Sequence, residues 1–148
     1  MATLNASVYA WFEAYVGNRL LTVVEDGRRL VRHDDGEWVV DVDGDEVRVR
    51  IDREPFWSVE VYALAATGVR TRAAVLREVN ALNVRLASAK IVLTEGAVVV
   101  KQRVHCDGLT ENTLGQAIRA VAGVARDAAF SMRVMYDGTP AFGADAAA

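Results

Sequence analysis

Residues 35–51 read DGEWVVDVDGDEVRVRI, a pattern that is typical of an antiparallel β-hairpin. Asp-Gly pairs stand at residues 35–36 and 43–44, and a third pair stands at 26–27. Asp-Gly favours the positive φ angles that a tight hairpin turn needs. After the pairs at residues 35–36 and 43–44, apolar residues alternate with polar ones, as in strands that bury one face. The segment therefore predicts an antiparallel meander.

The meander is predicted to contain three strands, at about residues 37–43, 46–52 and 57–66. Pro55 falls in the polar link between the last two strands, and proline belongs outside a strand because it cannot donate to the sheet ladder. A second hairpin is predicted at residues 91–105, with a turn at Glu95-Gly96.

Three segments repeat apolar residues at steps of three and four, which is typical of amphipathic helices. The first covers residues 4–17 and is expected to stop at Gly17-Asn18. The second covers residues 70–87, and the third begins after Thr110, a good N-cap. The residues expected to share the buried faces are Val8, Trp11, Phe12, Tyr15 and Val16 in the first helix, and Leu114, Ile118, Val121, Ala125 and Ala128 in the third.

The length of 148 residues fits one domain, which we place at residues 1–138. Gly, Pro and Ala dominate after that point, so residues 139–148 are expected to form a flexible tail, with Gly143–Ala148 disordered. Residues 19–34 fit either a continuing helix or the start of a strand, and both interpretations stay open.

Charge and cysteine usage exclude several classes of protein. The chain has 17 basic and 20 acidic residues and no Lys/Arg block, so we expect no nucleic-acid partner. Its longest apolar runs are far shorter than the ~20 residues of a membrane span, so we expect no membrane insertion. Cys106 is the only cysteine, which fits a reducing compartment, and we predict a cytoplasmic protein.

The sequence offers little for catalysis or for metal binding. His105 and Cys106 are adjacent, but neighbours on a strand point to opposite faces, so we expect them not to converge on one ion. The acidic residues 41–46 do not match the calcium-loop pattern and are interpreted as a hairpin turn. Neither a Gly-rich phosphate loop nor a G-x-S-x-G elbow occurs. We predict no catalytic residues, no metal and no cofactor, and an enzyme that uses Cys106 or the acidic residues is the remaining alternative.

Aromatic residues in and beside the meander are the candidates for contact with a partner. Phe56 and Trp57 cannot face the same way, so one of them is expected at the surface or in a contact. Together with Tyr62 they are the predicted peptide- or partner-binding residues. Trp38 is expected in the core, and Asn83 is expected to make a hydrogen bond from its helix to a strand.

Three segments carry a resemblance to a known family. They are LREVNALNVRL at residues 76–86, AVVV at residues 97–100 at the end of a hairpin, and DGLTEN at residues 107–112 at the start of an alanine-rich helix. In this order they resemble the YbjN-like family, which belongs with the type III secretion chaperone-like proteins. The similarity is greatest to the actinobacterial YbjN peptide-binding chaperone type, and it covers roughly residues 35–137.

This resemblance implies an α+β fold of order α-β-β-β-α-β-β-α, with the helices packed on one face of an antiparallel sheet. It also implies a homodimer that holds an extended client segment without ATP, and it brings no catalytic residues. YbjN relatives are also labelled sensory transduction regulators. A regulatory or assembly module that binds one folded partner is therefore the alternative.

Overall fold

Helices and strands follow one another along the part of the chain that the computed structural model describes, residues 2–24, 29–136 and 138–142. Of residues 2–5 only the backbone is described. The helices are α1 (Ala2–Val23), α2 (Ala73–Arg85) and α3 (Glu111–Tyr136). The strands are β1 (Leu30–Arg32), β2 (Trp38–Val42), β3 (Asp45–Asp52), β4 (Ser58–Thr67), β5 (Lys90–Thr94), β6 (Ala97–His105) and β7 (Thr139–Pro140). A 3-10 turn, Cys106–Gly108, connects β6 to α3.

The strands form one antiparallel sheet in the order β1-β2-β3-β4-β6-β5. The short strand β7 pairs with Ala66 and Thr67 of β4, past the residues of β4 that pair with β3. The connection from β4 through α2 to β5 leaves a space in the sheet that β6 then fills. The predicted α+β fold is confirmed. Neither β1 nor β7 was predicted, because strands of three and two residues are too short to show a periodicity.

Two hairpin turns have the backbone that the sequence predicts, whereas at residues 35–36 only Gly36 has a positive φ angle. Asp43 and Gly44 have φ angles of 54° and 91°, and Glu95 and Gly96 have φ angles of 48° and 78°. Two successive positive φ angles are the requirement of a two-residue type I′ turn. The Asp-Gly pair at residues 26–27 lies outside the described residues.

The core lies between the helices and one face of the sheet. That face carries the fully buried valines at 47, 49, 59, 61, 98 and 100. α3 packs across β4 and β6, α1 lies beside α3, and α2 packs on β5. The predicted stripe of α3 is buried at all five positions, and Trp38 is buried as predicted. The oxygen Oγ1 of Thr110 accepts a hydrogen bond from the N–H of Thr113 at 3.1 Å, which confirms the N-cap.

The first helix differs from its prediction in length and in its buried face. α1 continues through Gly17 to Val23, because Gly17 keeps a negative φ and does not act as a C-cap. Trp11 is 66% exposed and Val8 is also exposed, so their predicted burial is wrong. The buried row follows four-residue steps, and Trp11 lies about 100° away from Phe12 around the helix. The members of that row are Phe12, Val16, Leu20 and Val24.

The two ambiguous parts of the chain are now assigned. Within residues 19–34, the first five continue α1 and three form β1, so each interpretation holds for one part. The expected tail begins too early, because β7 pairs with β4 and Phe142 is only 2% exposed. Residues 143–148 lie outside the described residues. Among the described helices, none is long and apolar enough to cross a membrane.

Candidate functional site

One face of the sheet points away from the helices, and we call it the outer face. Side chains alternate along each strand, so the residues between the buried valines lie on this face. None of the described helices packs against it. The residues that define the outer face are Arg48 and Arg50 of β3, Glu60, Tyr62 and Leu64 of β4, and Lys101 and Arg103 of β6.

A network of ion pairs fixes the middle of the outer face. Glu60 is 4% exposed, and its carboxylate lies between two guanidinium groups. The distances are 2.6 Å from Arg50 Nη2 to Glu60 Oε1 and 3.3 Å from Arg103 Nη2 to Glu60 Oε2. Arg103 also contacts Asp52 at 2.8 Å. A buried carboxylate needs such partners, and the network holds these side chains in defined positions.

Tyr62 is held on the outer face by its neighbours. Its hydroxyl donates a hydrogen bond of 2.5 Å to the carboxylate of Glu37, and the guanidinium of Arg50 lies 5.0 Å from the ring centroid. Partial burial, followed by the hydrogen bond to Glu37, raises the pKa of Tyr62 to about 12. The phenol therefore stays protonated at neutral pH and acts as a hydrogen-bond donor.

A groove of about 520 Å³ runs beside Tyr62 on the same face. Leu64 is exposed at its wall, and Arg48 supplies a charge. Its full lining is Gly44, Asp45, Glu46, Arg48, Tyr62, Leu64, Val99 and Ala141. The combination of an aromatic ring, aliphatic side chains and charges suits a peptide better than a purely apolar ligand.

Phe56 and Trp57, which lie just before β4, face opposite sides of the sheet. The ring of Trp57 packs against α1, with its centroid 5.5 Å from Phe12 and 6.1 Å from Tyr9. Phe56 is 43% exposed and lies over the ring of His105 at a centroid distance of 4.6 Å. The prediction that one of the two lies at the surface is confirmed, and that residue is Phe56.

The three predicted contact residues do not form one patch. Phe56 and Tyr62 are both accessible from the outer face, but they are six residues apart, with Phe56 before the start of β4 and Tyr62 within it. Trp57 instead lines a separate groove of about 460 Å³ with Asp52 and Arg53. Their contact with a client stays a prediction.

Trp11 is an exposed aromatic residue that the sequence analysis assigned to the core. Its ring stacks on Tyr15 at a centroid distance of 5.6 Å, and the hydroxyl of Tyr15 donates to the carbonyl of Leu109 at 3.1 Å. The guanidinium of Arg19 lies 4.6 Å from the ring centroid of Tyr15. The four-residue spacing of the buried row already places Trp11 off that row, and this signal identifies it as a surface candidate.

The expected divergence of His105 and Cys106 is wrong. Cys106 Sγ lies 3.8 Å from His105 Nδ1 and 3.6 Å from Asp107 Oδ1. β6 ends at His105 and Cys106 starts the 3-10 turn, so the alternation of a strand no longer applies between them. Slight burial and the carboxylate of Asp107 raise the pKa of the Cys106 thiol, which disfavours the thiolate that a nucleophile needs.

Asn83 makes the predicted bond from helix to strand. Its Nδ2 donates to the carbonyl of Ile91 at 2.9 Å, and its Oδ1 accepts from the N–H of Ile91 at 2.7 Å. One side-chain amide thus satisfies both backbone groups of Ile91 on the edge strand β5.

An exposed sheet face with a groove of aromatic, aliphatic and charged side chains is a candidate binding surface. Comparison with protein families gives the class of protein: residues 10–144 match the family TY-Chap1, described as T3SS (YopN, CesT) and YbjN peptide-binding chaperone 1. The chain belongs to this family, and the predicted resemblance to YbjN-like chaperones is confirmed. Membership supports a chaperone-like binding role. Among curated proteins, none matches the chain.

Proposed function

We propose that this chain is a non-enzymatic, chaperone-like domain that holds an extended client segment on its outer face without ATP. The observation that carries the proposal is the position of Phe56, exposed on a sheet face that the described helices leave bare. Family membership supports the peptide-binding class of this function.

Phe56 and Tyr62 serve as two anchors for the client. Each ring is positioned before the client arrives, Phe56 by its tilted contact with the ring of His105 and Tyr62 by its hydrogen bond to Glu37. Rings that are already ordered lose little conformational entropy on binding. In an extended segment, side chains an even number of residues apart lie on one side, so alternate side chains of one client can reach both anchors.

Ion pairs between the anchors favour clients with complementary charges. Arg50 and Arg103 are partly exposed, while Glu60 beneath them is buried. A client carboxylate can approach either guanidinium without breaking its bond to Glu60, because an arginine has five N–H donors. Trp57 is the third predicted contact residue, and we place it at the rim, in its own groove beside Arg53.

We further propose that the chain is a cytoplasmic homodimer and that a second copy covers the exposed side of α1. Trp11, Val8 and Leu21 are large apolar residues that α1 exposes. Exposed apolar residues grouped on one element are characteristic of protein interfaces. The single cysteine supports a reducing compartment.

Affinity purification from the native cell, followed by mass spectrometry, tests this function. We expect several unrelated clients with the wild type, in equal amounts with and without ATP, and a clear loss with Phe56→Ala. Phe130→Ala is the matched control, because it also removes an exposed aromatic ring but lies on α3, away from the outer face. Recovery of one folded partner in stoichiometric amount would instead identify a regulatory module. Unchanged recovery of clients with Phe56→Ala and Tyr62→Phe would contradict the proposal.

A further inference from the structure

We propose that His105, Cys106 and Asp107 bind a transition-metal ion of the Zn²⁺ class in the turn between β6 and α3. The thiol, the imidazole and the carboxylate offer ligand atoms that all lie within 4.8 Å of one another. This is the one such group among the residues that the structure describes. The site adjoins Phe56, whose ring packs on His105, but the proposal does not depend on the proposed function.

Each contact between two of the three side chains has a length close to a ligand-to-ligand distance of a coordination tetrahedron, although Cys106 and His105 contact different oxygens of Asp107. The lengths are 3.8 Å from Sγ to Nδ1, 3.6 Å from Sγ to Asp107 Oδ1, and 3.5 Å from Nδ1 to Asp107 Oδ2. With Zn–S and Zn–N bonds of about 2.3 and 2.0 Å, a tetrahedral site has ligand-to-ligand distances of about 3.3 to 3.6 Å. One ion requires a rotation of the exposed Asp107 carboxylate that turns one of its oxygens toward both Sγ and Nδ1.

The orientation of His105 also suits a metal ligand. Its Nδ1 accepts a hydrogen bond from the backbone N–H of Asp107 at 3.3 Å, which assigns the ring proton to Nε2 and leaves the lone pair on Nδ1. That hydrogen bond is longer than the usual range, so a metal ion displaces it at small cost. Phe56 packs on the imidazole ring and restricts its rotation.

The donor set selects the kind of ion. A thiolate and an imidazole favour Zn²⁺ and its neighbours in the transition series, whereas Ca²⁺ and Mg²⁺ require oxygen ligands. On binding, the thiol S–H bond breaks, its proton passes to solvent, and an S–metal bond forms without any change of oxidation state. Three protein ligands leave a fourth position, which water takes because the site lies at the surface.

Titration of the reduced, metal-free protein with Co²⁺ tests the site. We expect one equivalent of Co²⁺ to give a thiolate-to-cobalt charge-transfer band and the visible bands of tetrahedral Co²⁺, and Zn²⁺ to remove both. Cys106→Ser abolishes the bands, and His105→Asn and Asp107→Asn each weaken binding by about tenfold or more. His33→Asn is the matched control, since His33 lies exposed in another loop, and it leaves the titration unchanged.

Thermal unfolding gives a second, independent readout. Binding to the folded state raises the unfolding midpoint, so Zn²⁺ is expected to raise it for the wild type and not for Cys106→Ser, while Ca²⁺ and Mg²⁺ have no effect. Absence of the charge-transfer band at one equivalent would overturn the proposal. So would wild-type affinity in both His105→Asn and Asp107→Asn, because a lone thiol would then account for the binding.

Discussion

The side-chain amide of Asn83 binds both the N–H and the C=O of Ile91, at 2.7 and 2.9 Å, and so takes the place of a neighbouring strand. In the β5–β6 hairpin, Thr94 and Ala97 flank the two-residue turn and form a hydrogen-bonded pair. Hydrogen-bonded and non-hydrogen-bonded pairs alternate along an antiparallel ladder, so Ile91 and Val100 form a non-hydrogen-bonded pair. The N–H and C=O of Ile91 therefore point away from β6. An edge strand with unpaired groups invites pairing with other chains. Asn83 closes part of this edge.

Replacing Asn83 with alanine is expected to lower the free energy of unfolding by about 2 kcal/mol, because two hydrogen bonds to a buried residue are lost. Urea denaturation measures this change. Asn80→Ala is the matched control, because Asn80 is exposed on the same helix. This substitution brings the same gain in helix propensity without the loss of a bond to β5. Equal effects of the two substitutions would show that the contact with Ile91 contributes nothing.

Arg50→Ala is expected to destabilise the fold by about 1–2 kcal/mol, because it leaves the buried carboxylate of Glu60 with only Arg103. This is less than the cost for a fully buried pair, since both guanidinium groups are partly exposed. Urea denaturation of a double-mutant cycle with Glu60→Gln checks the cause. Arg50→Ala should cost little once Glu60 is neutral, and the same cost in both backgrounds would refute the coupling.

Much of the architecture could be predicted because its signals are local. The turns at residues 43–44 and 95–96 and the stripe of α3 each lie within a few residues of sequence. The strand order β4-β6-β5 depends on contacts between distant segments, which no local pattern encodes.

The site was harder to predict than the fold for two physical reasons. Trp11 was assigned to the core because its side chain is apolar, although its position around α1 points it to solvent. The contact between His105 and Cys106 depends on where β6 ends, and a shift of one residue there decides whether the two side chains meet. Sequence patterns do not fix element ends to one residue.

Stability at alkaline pH should report on Tyr62. The folded chain holds the phenol proton with a pKa of about 12, against about 10 in the unfolded chain. The resulting stabilisation is therefore complete below pH 10 and is lost as the pH rises through about 12. Between pH 9 and pH 11, the midpoint of urea unfolding should fall further for the wild type than for Tyr62→Phe. Identical losses for both proteins would rule out this role of Tyr62.

Trp11→Ala is expected to shift the mass in solution from dimer to monomer, because it removes the largest exposed ring of α1. Light scattering at several concentrations measures the mass. Phe56→Ala is the control, since it also removes an exposed ring but lies on the outer face, and it should stay dimeric. A dimer that persists with Trp11→Ala would place the interface elsewhere.

The affinity of a fluorescent peptide, taken from a client recovered with the wild type and followed by anisotropy, tests most directly whether the outer face holds the client. We predict that Phe56→Ala weakens binding by about tenfold, equivalent to about 1.4 kcal/mol, and that Phe130→Ala leaves the affinity unchanged. Wild-type affinity for Phe56→Ala would show that Phe56 on the outer face does not hold the client.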